Sequence, residues 1–340
     1  MQHPTSSALI LGAHGRFGSA AARAFVQAGW QVHGQLRPGA TGPAIAGVQW
    51  VQADPADTAT LAAAARGANV VVQALSPAYT HKAWREGVPR LTQNAIDVTR
   101  ELGATMLLPA SVYNFGAAMP ALLHEDTQQA PSSFKGRLRQ ASEQQILAAT
   151  RDGGMKAVVM RGGDFFGSGS GSWFDQVMAK GLRAGKFTYP GPMHVTTTWA
   201  FLPDMARAFV QVAQQRERLG AFETLHFAGH AVTGAQWAQV FEDIAREQGW
   251  LRTDGRLRAT TLSWPLLRLA GLVAPMAAAL AEMRYLWTTP YTLVNTRMAQ
   301  LAGPEPHTPF AQAVRQALGE LGLLAQPGQS GALALQGSAS

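Results

Sequence analysis

The sequence predicts an α/β fold: a doubly wound parallel sheet followed by a smaller, mainly helical C-terminal portion. Three observations predict it. Short β-branched runs alternate with alanine-rich helical stretches through the first half. A glycine-rich turn joins the first strand to the first helix, and the regular spacing ends after Gly167.

Taken in order, strands are expected at Ala8–Leu11, Gln31–Leu36, Val48–Gln52, Asn69–Leu75 and Ala104–Pro109. Helices fit between them at Gly15–Ala28, Ala56–Arg66 and Trp84–Leu102. A further unit follows, with helix Gly136–Arg151 and strand Lys156–Arg161. Each strand–helix–strand step has the length a parallel crossover requires. Beyond Gly167 one helix is expected at Trp173–Ala184, another at Pro203–Gln215 and a strand at Glu223–Ala228, with helices dominating to about Gln316. The sheet portion is expected over 1–167, with later contributions from about 197–228, and the helical portion over 168–196 and 229–325. The last fifteen residues, 326–340 (QPGQSGALALQGSAS), have a composition that need not fold, a disordered tail.

Composition narrows the function classes. A hydrophobic fraction of 47% with 14% charged residues describes a globular chain of 340 residues able to bury a full core. With no cysteine there is no disulfide framework, thiol nucleophile or thiolate metal site. A net charge of +7 invites a nucleic-acid reading, but the cations are scattered and no nucleic-acid motif is present. Phosphate-bearing small ligands account for the charge as well. The apolar run Ala8–Leu11 is strand-length and follows no basic segment, so it does not read as a signal peptide, and a cytoplasmic location is expected. The tract Leu262–Ala281 contains Arg268 and is broken by Pro265 and Pro275. It reads as two short buried or interface helices without stable membrane insertion; a membrane-surface role is the lesser alternative. The sequence leaves a homodimer open. The histidines have no metal-ligand spacing, so no metal is expected.

The first strand runs into GAHGRFG, where Gly12, Gly15 and Gly18 stand at a strand-to-helix junction. The first glycine permits the tight turn and the second lets backbone approach a pyrophosphate. The third permits close helix–strand packing, and the helix N-terminus faces the phosphates. Inside a βαβ unit this is a Rossmann-type dinucleotide site. Its cofactor contacts are expected from Gly12, His14, Gly15, Arg16, Phe17 and Gly18. An acid at the end of the second strand would favour NAD, but no Asp or Glu precedes Asp54. Arg37 stands in that place and Arg16 lies in the glycine loop, so NADP is expected over NAD.

The glycine spacing resembles that of short-chain dehydrogenases/reductases, and further stretches resemble the extended NAD-dependent epimerase/dehydratase branch. They are ADPADTATLAAAARGANVVVQAL, LPASVYNFG, the Glu143-containing helix, VVMRGGDFFG and WAFLPDMARAFVQVA, spanning residues 8 to about 213. The resemblance implies an oxidoreductase or epimerase/dehydratase acting on a carbonyl or hydroxyl of a small molecule. It implies cofactor contacts at Asp54, Ala74, Leu75 and Pro109, and a helical C-terminal portion that binds substrate. Substrate contacts are implied at Asn114, Asp164, Phe165, Phe166 and Trp173, with Phe174, Tyr189 and Trp199 nearby.

The sequence departs from that family where the chemistry should be. Ser111 matches the family's serine, but its Tyr-x-x-x-Lys pair is replaced: alignment on Glu143 puts Lys135 at the tyrosine position and Arg139 at the lysine position. Three readings follow. Lys135 donates the proton, its pKa lowered from about 10.4 by burial and neighbouring cations. Tyr113, two residues beyond Ser111, supplies the hydroxyl instead. Or the site binds nucleotide without turnover, as a sensor or regulator. In the first two, Ser111 and Arg139 complete the catalytic set, and Lys135 also borders the cofactor. A Ser–His–Asp hydrolase is not supported, because no G-x-S-x-G elbow is present.

Overall fold

The computed structural model describes residues 6–252 and 254–324; the tail expected at 326–340 lies outside the described residues. The first half lays down β1 (Ser7–Leu11), α1 (Arg16–Gln27), β2 (Gln31–Leu36), β3 (Val48–Gln52), α2 (Thr58–Ala64), β4 (Val70–Gln73), α3 (His81–Glu101) and β5 (Thr105–Ser111). A two-residue strand β6 (Leu122–Leu123), helix α4 (Phe134–Ala149) and β7 (Lys156–Gly162) follow. Next come β8 (Asp164–Phe166), β9 (Lys186–Tyr189), β10 (Thr196–Phe201), α5 (Leu202–Gln214) and β11 (Phe222–His226).

Seven strands form one parallel sheet in the order β11-β7-β5-β4-β1-β2-β3. The expected α/β class is therefore the observed one. The central strand β4 is buried along its whole length, as its unbroken VVVQ run requires of a strand covered on both faces. Helix α1 buries Phe17, Ala20, Ala21, Ala24 and Phe25 on one stripe and packs with α5 on one face of the sheet. Leu61, Ile96, Val98 and Ile146 from α2, α3 and α4 cover the other face. The chain reverses direction across the sheet between β1 and β4, and ligands of such sheets bind at the carboxyl ends of the strands there.

The remaining elements are β12 (His230–Thr233), α6 (Gly234–Glu247), β13 (Arg258–Thr261), α7 (Trp264–Ala270), α8 (Pro275–Ala281), α9 (Tyr285–Thr288), β14 (Thr292–Leu293), α10 (Thr296–Ala302) and α11 (Phe310–Glu320). Strands β12, β10 and β8 make a three-stranded sheet, β13 pairs with β9 and β14 with β6. An aromatic core that includes Phe166, Phe174, Tyr189, Trp199, Trp237 and Trp287 holds this portion together.

Three local expectations need correction. The helix expected at Trp173–Ala184 is broken into a wide turn at Phe174–Met178 and a tight one at Leu182–Ala184. The Ala179 N–H reaches back to the Phe174 carbonyl, and Gly185 ends the segment at φ 66°. Strands occur at β12 and β13, inside the stretch read as helical. The tract 262–281 does form two short helices, but most of its large apolar side chains are not buried. Leu266, Leu269, Leu272, Val273 and Met276 are all exposed.

Candidate active site

A cavity of about 500 Å³ opens at the carboxyl ends of β1, β4, β5 and β7. Its floor is the glycine loop. Gly12 turns the chain at φ 73°, and an added Cβ there would meet the backbone of Ala74 and Leu75 at 3.1 Å. At Gly18 a Cβ would sit 2.2 Å from the Gly12 carbonyl oxygen, so this glycine brings helix and strand together. A Cβ on Gly15 would meet only the Gly12 oxygen, at 3.2 Å, and otherwise face open space. Gly15 caps α1 without a side-chain hydrogen bond, leaving first-turn N–H groups free for an anion. These are the features a dinucleotide's pyrophosphate needs.

The other cofactor candidates divide. Phe17, Ala74, Leu75 and Pro109 line the cavity. His14 is exposed, its Nδ1 3.2 Å from the Thr41 carbonyl oxygen. Asp54 is exposed and accepts from the Ala56 N–H at 2.8 Å. Arg37 is exposed just past β2. Arg16 requires a correction: its guanidinium crosses the cleft to donate to the carbonyls of Gly167 (2.8 Å) and Phe165 (3.3 Å). It ties the glycine loop to the β8 region while lining the cavity.

Of the catalytic candidates, Ser111, Tyr113 and Arg139 line the cavity together. Lys135 does not. It is wholly buried, and its ammonium donates to the Ala279 carbonyl (2.8 Å) and to Glu282 (3.1 Å). It lies 4.4 Å above the Tyr79 ring, the charge resting on an aromatic face. Burial lowers its pKa while Glu282 opposes the shift. Lys135 therefore fastens the α8 region to the first turn of α4 and does not present an amine to the cavity. One turn later Arg139 stacks on Trp84 at 4.8 Å, its buried Nε without a hydrogen-bond partner among the described residues.

Of the substrate candidates, Asp164, Phe165 and Trp173 line the cavity and the other two do not. Phe166 is wholly buried in the aromatic core, because successive residues of β8 point to opposite faces. Phe174, Tyr189 and Trp199 are core as well. Asn114 lies beneath the cavity, within 3.4 Å of Glu143, whose carboxylate holds Arg161 through two hydrogen bonds. Neither member of that buried pair lines the cavity. Among the lining residues the sequence reading missed are Tyr79, Trp84, Met276 and Leu280. Tyr79 follows β4 at the sheet's ligand-binding edge, a positional signal that could have found it. Met276 and Leu280 come from α8, brought in by tertiary packing alone.

Some of the polar groups facing this cavity lack hydrogen-bond partners. Among the described residues the Ser111 hydroxyl and Arg139 Nε are buried without hydrogen bonds, and the half-buried Asp164 side chain lines the same cavity. Burial pushes the Asp164 carboxyl from near 3.8 up to about 7. Its field reaches all five tyrosines of the chain. Tyr113 and Tyr79, with hydroxyls 3.4 Å apart, are raised first by burial. In native proteins such groups are taken up by a ligand, an ordered water or an ion, and in this cavity they face the space a ligand would fill.

Asp164 also marks a stability trade-off. Its folded pKa lies above its unfolded one, so its contribution is fully present below about pH 4 and lost as pH rises through about 7. Asp164→Asn is expected to raise Tm by several degrees near pH 8, at about 2–4 °C per kcal/mol, and to leave it nearly unchanged near pH 4. Melting curves at the two pH values check this; an equal shift at both would remove the charge from the account.

The profile of the NAD dependent epimerase/dehydratase family matches residues 8–226, well over half of the chain. The chain belongs to this family. Solved structures of similar fold include a UDP-glucose 4-epimerase from Brucella ovis in complex with NAD, at 16% identity and TM-score 0.72, covering 95% of this chain and 100% of that one. The Bordetella bronchiseptica enzyme WbmH in complex with NAD+ matches at 18% identity and TM-score 0.68, covering 93% and 98%. A UDP-glucose 4-epimerase from Thermotoga maritima with UDP-glucose matches at 13% identity and TM-score 0.67, covering 92% and 98%. No curated protein matches the chain by sequence. Among the described residues no helix is long and apolar enough to cross a membrane.

Proposed function

We propose that this family member is a nicotinamide-dinucleotide-dependent enzyme that exchanges hydride with a carbonyl or hydroxyl carbon of a small, partly apolar molecule. The observation that carries the reading is one wall holding the partnerless Ser111 hydroxyl and Arg139 Nε together with the Asp164 carboxyl, beside an open glycine loop. Bound dinucleotide would supply the hydride acceptor or donor, and the chain's residues position substrate and move the proton. Ser111 hydrogen-bonds the developing oxyanion, and Arg139 orients ribose or an anionic substrate group. Asp164, poised near neutrality, gives or takes the proton, with Tyr113 beside it.

The cavity's cations argue against a diphosphate sugar such as the one bound by the Thermotoga neighbour. Arg16 is held by backbone carbonyls, which leaves Arg139 among the arginines lining the described wall. Tyr79, Trp84, Phe165, Trp173, Met276 and Leu280 give the rest an apolar character. The test is consumption of reduced dinucleotide with a panel of apolar aldehydes and ketones. A folded chain that binds no dinucleotide would overturn the proposal. Tight dinucleotide binding with no turnover supports the regulatory reading instead, which the lost Tyr-x-x-x-Lys pair favours.

With Arg16 engaged elsewhere, the preference for NADP rests on Arg37, exposed and with no acid before Asp54. One charge-assisted phosphate contact gives NADPH an advantage over NADH of about tenfold. Arg37→Glu is expected to remove or invert it. Parallel titrations of both cofactors check this, and equal affinities in the unsubstituted chain would defeat it.

A further inference from the structure

Helices α7 and α8 form a tight hairpin. Its turn is closed by small residues: a Cβ on Gly271 would lie 3.0 Å from the Ala278 backbone. The inner side is anchored by buried Trp264 and Ala279, and by Lys135 holding the Ala279 carbonyl and Glu282. No described residue covers the outer side. Leu272 and Val273 at the tip are 80% and 88% exposed, and Leu266, Leu269 and Met276 are more than half exposed behind them. Exposed apolar residues scattered singly need no explanation; five on one protruding hairpin need a partner.

The charges around the hairpin indicate its kind. From Gly255 to Ala281 there is no Asp or Glu, while Arg256, Arg258 and Arg268 are all exposed, on a chain of net charge +7. An apolar tip with exposed Arg268 one turn before it suits the interface of an anionic bilayer, where leucines enter the acyl boundary and arginine meets headgroups. A second copy would need a self-complementary face, and a hairpin whose single charged residue is Arg268 does not supply one. Met276 is exposed and also lines the cavity, so apolar surface is continuous from hairpin to site.

We propose that the α7–α8 hairpin is a peripheral membrane-docking element that inserts Leu272 and Val273 into an anionic lipid surface. Cosedimentation of the full chain with phosphatidylglycerol–phosphatidylcholine vesicles, against pure phosphatidylcholine, tests this. Binding is expected to favour the anionic vesicles by about tenfold or more and to weaken with added salt. The double variant Leu272→Glu/Val273→Glu is expected to lose vesicle binding while keeping its Tm and its cofactor affinity, since neither side chain touches the core or the cavity. Arg268→Glu should reduce the preference for anionic lipid. The proposal fails if the unsubstituted chain stays in the supernatant with both vesicle types, or if the double variant binds as well as it. It also fails if the chain is a dimer without vesicles that Leu272→Glu dissociates, since the partner is then a second copy. Cofactor titration in the same samples separates failure of the docking surface from failure of the enzymatic reading.

Discussion

Gly15→Val is expected to abolish dinucleotide binding and leave the chain folded. Gly15 sits at φ −67°, a conformation open to any residue, so the backbone tolerates a side chain. The added atoms would enter the open space above the loop, where the pyrophosphate must approach the first turn of α1. An affinity loss of at least about a hundredfold follows, because no other backbone in the loop can take over that contact. Gly18→Val provides the contrast. Its Cβ would overlap the Gly12 carbonyl at 2.2 Å and the Ala13 Cα at 2.9 Å, so it should unfold or fail to express. Thermal melts with and without NADPH and NADH distinguish the two, since a ligand that binds only the native state raises Tm. A Gly15→Val chain with the full cofactor-induced shift would show that the dinucleotide does not cross this loop.

The contrast between the two glycines shows which features were legible in the sequence. Local strand signals were readable: β2 and β3 have the bounds expected from the sequence, Gln31–Leu36 and Val48–Gln52. The glycine loop was legible because its spacing is itself the backbone requirement. Ser111 and Tyr113 were legible because they follow a strand whose carboxyl end must face the site. Side-chain direction was harder. Phe165 faces the cavity and Phe166 the core, an alternation that the pair FF could have suggested only with the register of β8 known. Lys135 occupies a familiar helix position, yet Glu282 and the Ala279 carbonyl, far along the chain, draw its ammonium away. Met276 and Leu280 were invisible for the same reason. Their role depends on a hairpin whose apolar outer face reads, in sequence, like any buried helix.

Asp164→Asn is expected to lower kcat by about a hundred- to ten-thousand-fold without a comparable loss of cofactor affinity. Hydride delivered to a carbonyl carbon leaves an alkoxide, and a group in the wall must supply its proton. Arg139 stays protonated at working pH and cannot give one up. The unactivated Ser111 hydroxyl is a poor donor, and burial, aided by the field of Asp164, holds the Tyr113 phenol high. Asp164, pushed to about 7, can change protonation state where the enzyme works. The direction of the pH dependence follows. Reduction needs the neutral carboxyl, so kcat/KM should fall about tenfold per unit as pH rises above about 7. Oxidation needs the carboxylate and should rise up to the same point. In the Asn variant both limbs should flatten, and loss of turnover with the limbs retained would indicate a structural effect of the substitution. If Asp164→Asn keeps full activity and Tyr113→Phe loses it, the phenol is the donor and Asp164 only sets its field. Full activity in both variants would exclude this wall from proton transfer altogether.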